Sequence, residues 1–261
     1  MKITKFALLA GILAALSPCV LRADDADANA AAPARDFHFT VGLKGWNASW
    51  NSFLFNSYEG ELVSINGGSQ FAAIPNFSVR YKKLFVSGSY VAQTSYKFNP
   101  LPYWNGSSYS YNTFEAKRSE SDINLGWSFI PQLSATIGYK SLSYQFRDTS
   151  ATLPDWSKYD ISGLTIGIAG SGNIYKGLSM YGNLGFGGLA SKSTQYRFKN
   201  TTYLASELGF AYKFSAPVLV TLGYKYQVLE NKFNKASDGI FQGQTGQDMT
   251  HGFMLGISYV Y

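Results

Sequence analysis

Two histidines are the side chains in this sequence best suited to act as a general base near neutral pH. They are His38 and His251, and Asp248 lies three positions before the second of them. A general base must lie within hydrogen-bond reach of its target. In a regular strand, side chains three positions apart point to opposite faces, so Asp248 and His251 would be separated. His251 shares its face with Phe253 and Leu255, and we therefore predict that it is structural and that the chain has no catalytic residue.

A second set of residues that could do chemistry is Arg118, Glu120 and Asp122, which occupy alternate positions. On a strand all three would point to one side. If that side is an interior, the charges must be paired or reached by water, because an isolated buried charge is costly. Arg80 and Lys97, on two earlier strands, are the partners that the sequence suggests for them. No residue pattern predicts a metal ion, a nucleotide or another cofactor.

The elements that must position these residues are β-strands. From Phe37 onward, apolar and polar residues alternate with a period of two, which is typical of strands that have one apolar face. We predict ten strands, with bulges near Gly45 and before Leu142, where the apolar parity changes. The connections alternate in length: short ones fall at 82–83, 130–132, 169–176 and 215–217, and long ones at 51–69, 99–114, 148–159, 188–201 and 230–247.

The composition favours a sheet that is closed within a membrane. Aromatic residues make up 16% of the 261 positions, 26 residues are glycine, and only 15% are charged, against about 25% in ordinary soluble domains. An open sheet edge in lipid would leave backbone groups without hydrogen bonds. The prediction is an all-β, closed, antiparallel up-and-down transmembrane β-barrel of about ten strands. Eight or twelve strands, and a secreted β-sandwich, are the alternatives.

The last predicted strand, Met249 to Tyr261, has large apolar residues on one parity and small residues on the other. A strand that ends on an aromatic in this way resembles the C-terminal signature of small porin-like Gram-negative outer-membrane β-barrel proteins. The resemblance implies that this segment closes the barrel and is recognised by the barrel-assembly machinery. It also implies outer-membrane lipids as partners and short turns on the periplasmic side. The residues of the implied assembly signal are Phe253, Leu255, Ile257, Tyr259 and Tyr261.

The N-terminus predicts export through the inner membrane. A basic start is followed by an apolar run too short to span a bilayer comfortably, and cleavage is expected after Ala23. We therefore predict a signal peptide over 1–23, a flexible periplasmic lead-in over 24–36 and an outer-membrane barrel over 37–261.

Cysteine content and charge bear on two further points. The one cysteine, Cys19, lies in the predicted signal peptide, so a mature chain would have no disulfide. The net charge of +6 falls to +3 without the three basic residues of that peptide. Because the remaining basic residues are scattered, we predict no nucleic-acid partner.

Strand parity also assigns a set of charged residues to the lumen. A filled interior with ion pairs is one interpretation, and a narrow, mildly basic passage for small solutes is the other; ten strands lie near the filled end of the range. The leading prediction is thus a structural barrel or a narrow porin-like passage. The assigned residues are Lys44, Arg80, Lys82, Lys97, Arg118, Glu120, Asp122, Lys140, Glu207, Lys213 and Lys225.

Two other functions stay open. The aromatic-rich loop at 99–111 could bind a surface ligand, as in an adhesin; its aromatic residues are Tyr103, Trp104, Tyr109 and Tyr111. A barrel hydrolase is the second alternative. Omptin proteases, which are barrels of this size, use an Asp–His pair and a pair of aspartates near the outer rim. The sequence shows no such pair of aspartates, so an enzyme is not the predicted function.

Overall fold

A computed structural model describes residues 36–56, 61–104, 109–149, 156–192, 198–214, 217–233 and 245–261. The predicted signal peptide over 1–23 and the lead-in over 24–36, apart from Asp36, lie outside the described residues. Within those ranges, no helix combines the length and the hydropathy needed to cross a membrane.

Ten strands form one closed antiparallel barrel, in which each strand is hydrogen-bonded to two neighbours. The predicted fold and strand number are confirmed. The strands are β1 (Phe37–Asn56), β2 (Glu61–Tyr81), β3 (Leu84–Lys97), β4 (Leu101–Trp104), β5 (Tyr109–Asn112), β6 (Phe114–Ile130), β7 (Leu133–Asp148), β8 (Ser157–Tyr175), β9 (Leu178–Lys192), β10 (Phe198–Lys213), β11 (Val218–Phe233) and β12 (Thr245–Val260). Around the barrel the strands follow the order β1-β12-β11-β10-β9-β8-β7-β6-β3-β2, and β2 pairs with β1 to complete the ring. The strands β4 and β5 form a separate hairpin, which lies between β3 and β6 in the chain.

The two ends of the barrel differ in their connections. One end, called the turn end below, carries the tight turns at 82–83, 131–132 and 176–177, the connection at 214–217, and the first and last residues of the sheet. Gly177 has a φ of 73°, the left-handed conformation that glycine adopts without a Cβ clash. The opposite end is called the loop end. The strands extend further than the sequence predicted, so the expected alternation of short and long connections is only partly present. At the loop end, four positions separate β1 from β2 and five separate β9 from β10, about as many as the four between β10 and β11 at the turn end.

The outer surface is divided into two sections. Near the turn end, the outward positions form an apolar belt of exposed side chains. Toward the loop end, the outward positions of the same strands are polar; examples are Ser121, Ser141, Ser143, Lys158 and Asp160. The belt includes Val41, Leu43, Leu125, Trp127, Ile137, Leu164, Ile166, Phe210, Leu222, Phe253, Leu255 and Ile257.

The strands are longer than a membrane requires. A tilted transmembrane strand needs about 9–11 residues, whereas β1 has 20, β2 has 21 and β12 has 16. Of the predicted loops, 51–69 and 188–201 are thus in large part strand, and strand also extends into both ends of 230–247. Their polar residues misled the prediction, because beyond the belt the outward face of a strand is polar as well.

The two predicted bulges, near Gly45 and before Leu142, are wrong. The β1–β12 ladder runs without a shift from Thr40 to Leu54, and β7 keeps its register with both neighbours past Leu142. Along both strands the same parity of residues points inward throughout, but these inward residues change from polar to apolar. In β1 the inward side changes from Lys44 to buried Trp46 and Trp50, and β7 shows the same change.

Closure of the barrel depends on a glycine. Gly252 of β12 is buried, and a Cβ added there would collide with the backbone carbonyl of Asn47 on β1. Since backbone cannot move aside cheaply, we expect Gly252→Val to block the β1–β12 pairing. The variant should lose the heat-modifiable, folded band on gels. Gly188→Ala is the control, because a Cβ at Gly188 meets nothing within 4 Å. A normal folded band for Gly252→Val would show that the β1–β12 pairing does not require glycine at this position.

Candidate functional site in the barrel lumen

An aromatic layer fills the lumen toward the loop end. Trp50 is fully buried at its centre, and the centroid of its ring lies 5.1 Å from that of Phe98, 5.3 Å from Tyr96, 5.5 Å from Tyr144 and 5.6 Å from Phe146. Edge-to-face and tilted arrangements at these distances are favourable for ring pairs. The layer continues to β8, where Tyr159 stacks on Tyr144 at 4.8 Å and on Phe146 at 5.6 Å. We define the aromatic layer as Trp50, Tyr96, Phe98, Tyr144, Phe146 and Tyr159.

Asp248 joins the aromatic layer to the opposite wall. Its carboxylate accepts hydrogen bonds from the hydroxyl of Ser52 at 2.6 Å, the indole N–H of Trp50 at 3.4 Å and the side-chain amide of Asn231 at 3.3 Å. Asn231 in turn accepts a hydrogen bond from Thr201 at 2.7 Å. The network links β1, β10, β11 and β12 at the height of Trp50, so the layer reaches across the lumen.

A charge layer lies directly below the aromatic layer. Glu120 is 1% exposed, and its Oε1 accepts from Arg118 at 2.5 Å while its Oε2 accepts from Lys140 at 2.8 Å and from the Gln227 amide at 3.1 Å. Lys140 also donates to Asp122 at 2.9 Å. We define the charge layer as Arg118, Glu120, Asp122, Lys140 and Gln227.

Arg118 connects the two layers. Its guanidinium donates to Gln227 at 2.9 Å and to the hydroxyl of Thr250. The same group lies 5.8 Å from the ring of Trp50 and 5.4 Å from that of Tyr144, distances at which a cation is attracted to an aromatic face. Buried charges are tolerated when they are paired and hydrogen-bonded. The contacts of Arg118 therefore join the aromatic layer to the charge layer, and the two layers together fill this part of the lumen.

Below the charge layer, the lumen opens into a cavity of about 320 Å³. Its wall combines small and polar residues, such as Ser87, Thr165 and Gly185, with the aromatic rings of Tyr181 and Tyr203. We define this cavity as the lower cavity, and the charged residues that line it are Lys44, Asp122, Glu207 and Lys225. Lys44 donates to Glu207 at 2.8 Å. The barrel therefore has a filled upper lumen and a hollow lower lumen.

The structure brings together only part of the predicted lumen set. Arg118, Glu120, Asp122 and Lys140 form the charge layer, and Lys44, Glu207 and Lys225 line the lower cavity. Arg80 and Lys213 lie half-buried at the turn end. Arg80 contacts the ring of Phe85 at 5.1 Å and lies too near the turn end to pair with Glu120 as predicted; Lys140 and Gln227 take that place.

The lumen assignments of Lys97 and Lys82 are wrong. The β3–β6 ladder shifts between Val91 and Thr94, and both of these residues are buried. The irregularity reverses the parity of β3, so Lys97 is exposed on the outer face. Lys82 lies in the turn after β2 with a φ of 52° and an exposed side chain. Its ammonium is 3.6 Å from the carboxylate of Asp36, whose charge raises the pKa of Lys82.

His251 lies on the outer face, just above the apolar belt. Its Nδ1 is 2.8 Å from the hydroxyl of Tyr224, and its Nε2 is 3.3 Å from the side-chain amide of Asn51. Asp248 points into the lumen, as its contacts show, so the two residues do not meet. No group of three or more His, Cys, Asp or Glu among the described residues could hold a metal ion.

The aromatic layer is the feature that sequence reasoning missed. Trp46, Trp50, Leu142, Tyr144 and Phe146 are inward and buried or half-buried. The signal was present as the change of apolar parity along two strands, which was attributed to bulges. The aromatic loop at 99–111 forms the β4–β5 hairpin; of its predicted ligand-binding residues only Tyr111 has a described side chain, and it is exposed.

The five residues of the implied assembly signal lie on the outer face of β12 and beyond its end. Each is exposed, from 47% for Tyr259 to 67% for Phe253, and β12 pairs with β1 to close the sheet. Their recognition by assembly machinery stays a prediction.

Comparison with known proteins identifies the fold. No protein-family model and no curated protein matches the sequence. Among solved structures, the outer membrane protease OmpT of Escherichia coli aligns with a TM-score of 0.54 at 12% identity, over 86% of this chain and 96% of that one. Ail, the attachment invasion locus protein of Yersinia pestis, and OprG of Pseudomonas aeruginosa each align with a TM-score of 0.37, at 9% and 14% identity, over 87% and 86% of this chain and 100% and 95% of theirs. The chain has the closed-barrel fold of Gram-negative outer-membrane proteins.

Proposed function

We propose that this protein is an outer-membrane β-barrel with a sealed lumen, and that its role is structural. The apolar belt supports the location, since exposed apolar side chains around a closed sheet match lipid. The polar section toward the loop end would then project from the membrane. The short turns support a periplasmic position for the turn end.

The observation that carries the structural role is the filled upper lumen. Trp50, Tyr144, Lys140 and Glu120 come from three strands and are each at most 1% exposed. A solute crossing the barrel would have to displace both the aromatic layer and the charge layer. Since these side chains are held by several contacts each, a passage would require rearrangement of the interior rather than rotation of one side chain.

Planar-bilayer recording tests this proposal. The purified, folded protein is expected to give no current steps, because ions would have to cross two dry layers. A characterised porin added to the same bilayer serves as the positive control, and the detergent buffer alone as the blank. Regular, reproducible conductance steps from the pure protein would overturn the sealed lumen and favour the narrow passage.

We propose no enzymatic reaction for this chain. In support, both ring nitrogens of His251 are engaged by Tyr224 and Asn51, and Asp248 is enclosed in the lumen. The likeness to an outer membrane protease concerns the fold.

A further inference from the structure

The lower cavity is hollow because of the residues that form its wall. Gly167 and Gly185 face it from adjacent strands, at positions where a side chain would fill the space. A Cβ added at Gly185 would have only the Ile166 carbonyl as a neighbour, at 4.0 Å. The cavity volume of about 320 Å³ lies at the lower end of the range of about 300–1,000 Å³ for small-molecule sites. The sequence thus leaves a ligand-sized space inside the barrel.

One charged group of this cavity has no ion-pair partner. Among the described residues, no carboxylate oxygen lies within 4.0 Å of the Lys225 ammonium, which instead lies 4.8 Å from the centre of the Trp46 ring. The neighbouring cations are paired: Lys44 with Glu207, and Lys140 with Glu120 and Asp122.

The carboxylates of the lower cavity are already paired with other lysines. Its lining includes Asp122 as well as Glu207, and these carboxylates bind Lys140 and Lys44, respectively. The next carboxylate, Asp248, pairs in register with Leu229, whereas Lys225 pairs with Gly252. This offset of four residues corresponds to about 13 Å along the strand, so Asp248 is not an ion-pair partner of Lys225.

We propose that the lower cavity binds a small organic anion with a single carboxylate, and that Lys225 is its anchor. A carboxylate would give the Lys225 ammonium the ion-pair partner that it lacks, and a charge-assisted hydrogen bond to an ammonium is among the stronger polar contacts.

The ligand would enter from the turn end. The aromatic layer and the charge layer close the other side. The wall of the cavity extends to Ala211, Leu219 and Ser258, each within two residues of the turn end of its strand. At this end Tyr181, Ala211 and Leu219 pack together as a small apolar cluster, which an entering ligand would have to displace. The site would thus take a carboxylate from the periplasmic side in the orientation proposed above.

Methyl NMR of the full barrel in micelles tests the site with acetate as the probe. The reporter is the ¹³C-methyl group of Met254, which is buried and lies opposite Trp46 in the β1–β12 register. Met180 and Met249, on the outer parity, are internal controls. We expect acetate to shift the Met254 signal saturably, and the neutral isostere acetamide to leave it in place at the same ionic strength.

Two variants complete the test. Lys225→Gln removes the ammonium and should weaken acetate binding at least about tenfold, while Gly185→Phe fills the cavity and should abolish the shift. An equal shift with acetamide, a shift that persists in Lys225→Gln, or no shift in the native protein would overturn the proposal. If Lys225→Gln does not fold, the comparison of acetate with acetamide in the native protein and in Gly185→Phe decides it.

Discussion

Replacement of Glu120 by glutamine is expected to lower the free energy of unfolding by about 3–5 kcal/mol, the cost of removing one partner from a buried ion pair. Glu120 accepts hydrogen bonds from Arg118, Lys140 and Gln227 at 2.5–3.1 Å. Glutamine keeps the shape but not the charge, and its amide nitrogen would face donors. Arg118 would lose its carboxylate, and Lys140 would retain only Asp122.

Unfolding by urea or guanidinium in lipid vesicles, followed by tryptophan fluorescence, measures this effect. Glu115→Gln is the matched control, because Glu115 pairs with Arg147 at 2.5 Å in a partly exposed position, where such pairs contribute about 0–1 kcal/mol. Equal effects of the two substitutions would show that the charge layer is solvated and that the lumen is not sealed at this height.

Replacement of Trp50 by alanine is the second change with a large expected effect. Loss of a buried tryptophan typically costs about 3–5 kcal/mol, because the transfer free energy is lost and a cavity remains. Here Trp50 contacts four other rings, donates to Asp248 and lies beside the Arg118 guanidinium. Asp248 would keep its bonds from Ser52 and Asn231 but lose one of its donors.

The same unfolding assay compares Trp50→Ala with Trp127→Ala. Trp127 has the same side chain on the outer face, where it is 52% exposed to what would be lipid, so its removal leaves no internal cavity. We expect the first variant to be destabilised by several kcal/mol more than the second. Similar losses for both would mean that the aromatic layer rearranges to fill the space, and the sealed-lumen argument would fail.

Much of the architecture follows from the period-two pattern alone. Alternation over Val41 and Leu43, and again over Leu164 and Ile166, places strands because lipid demands one continuous apolar face. The inward direction of Arg118, Glu120 and Asp122 follows in the same way, since charges at alternate positions cannot face lipid. These predictions depend on neighbours in sequence, and that is why they could be made.

The features that the sequence did not predict depend on where a residue lies along the barrel axis and on contacts across the barrel. An apolar residue at Trp46 or Tyr144 fits the outer face within the apolar belt and the inner face beyond it, and alternation does not say where the belt ends. The parity of Lys97 is changed by an irregularity in a ladder that the sequence does not mark. Two of the three partners of Glu120, Lys140 and Gln227, lie on β7 and β11, so their identity follows only from the closed topology.

The contacts of the two lumen layers have a consequence for the order of events during folding. The hydrogen bond from Trp50 to Asp248 spans 198 residues of chain, and those from Arg118 to Thr250 and Gln227 span 132 and 109. Contacts so distant in sequence form slowly, since long loops must close first. Until β11 and β12 arrive, Arg118 and Glu120 have only part of their hydrogen bonds. The two lumen layers are therefore complete only after the last hairpin, β11–β12, has joined the sheet.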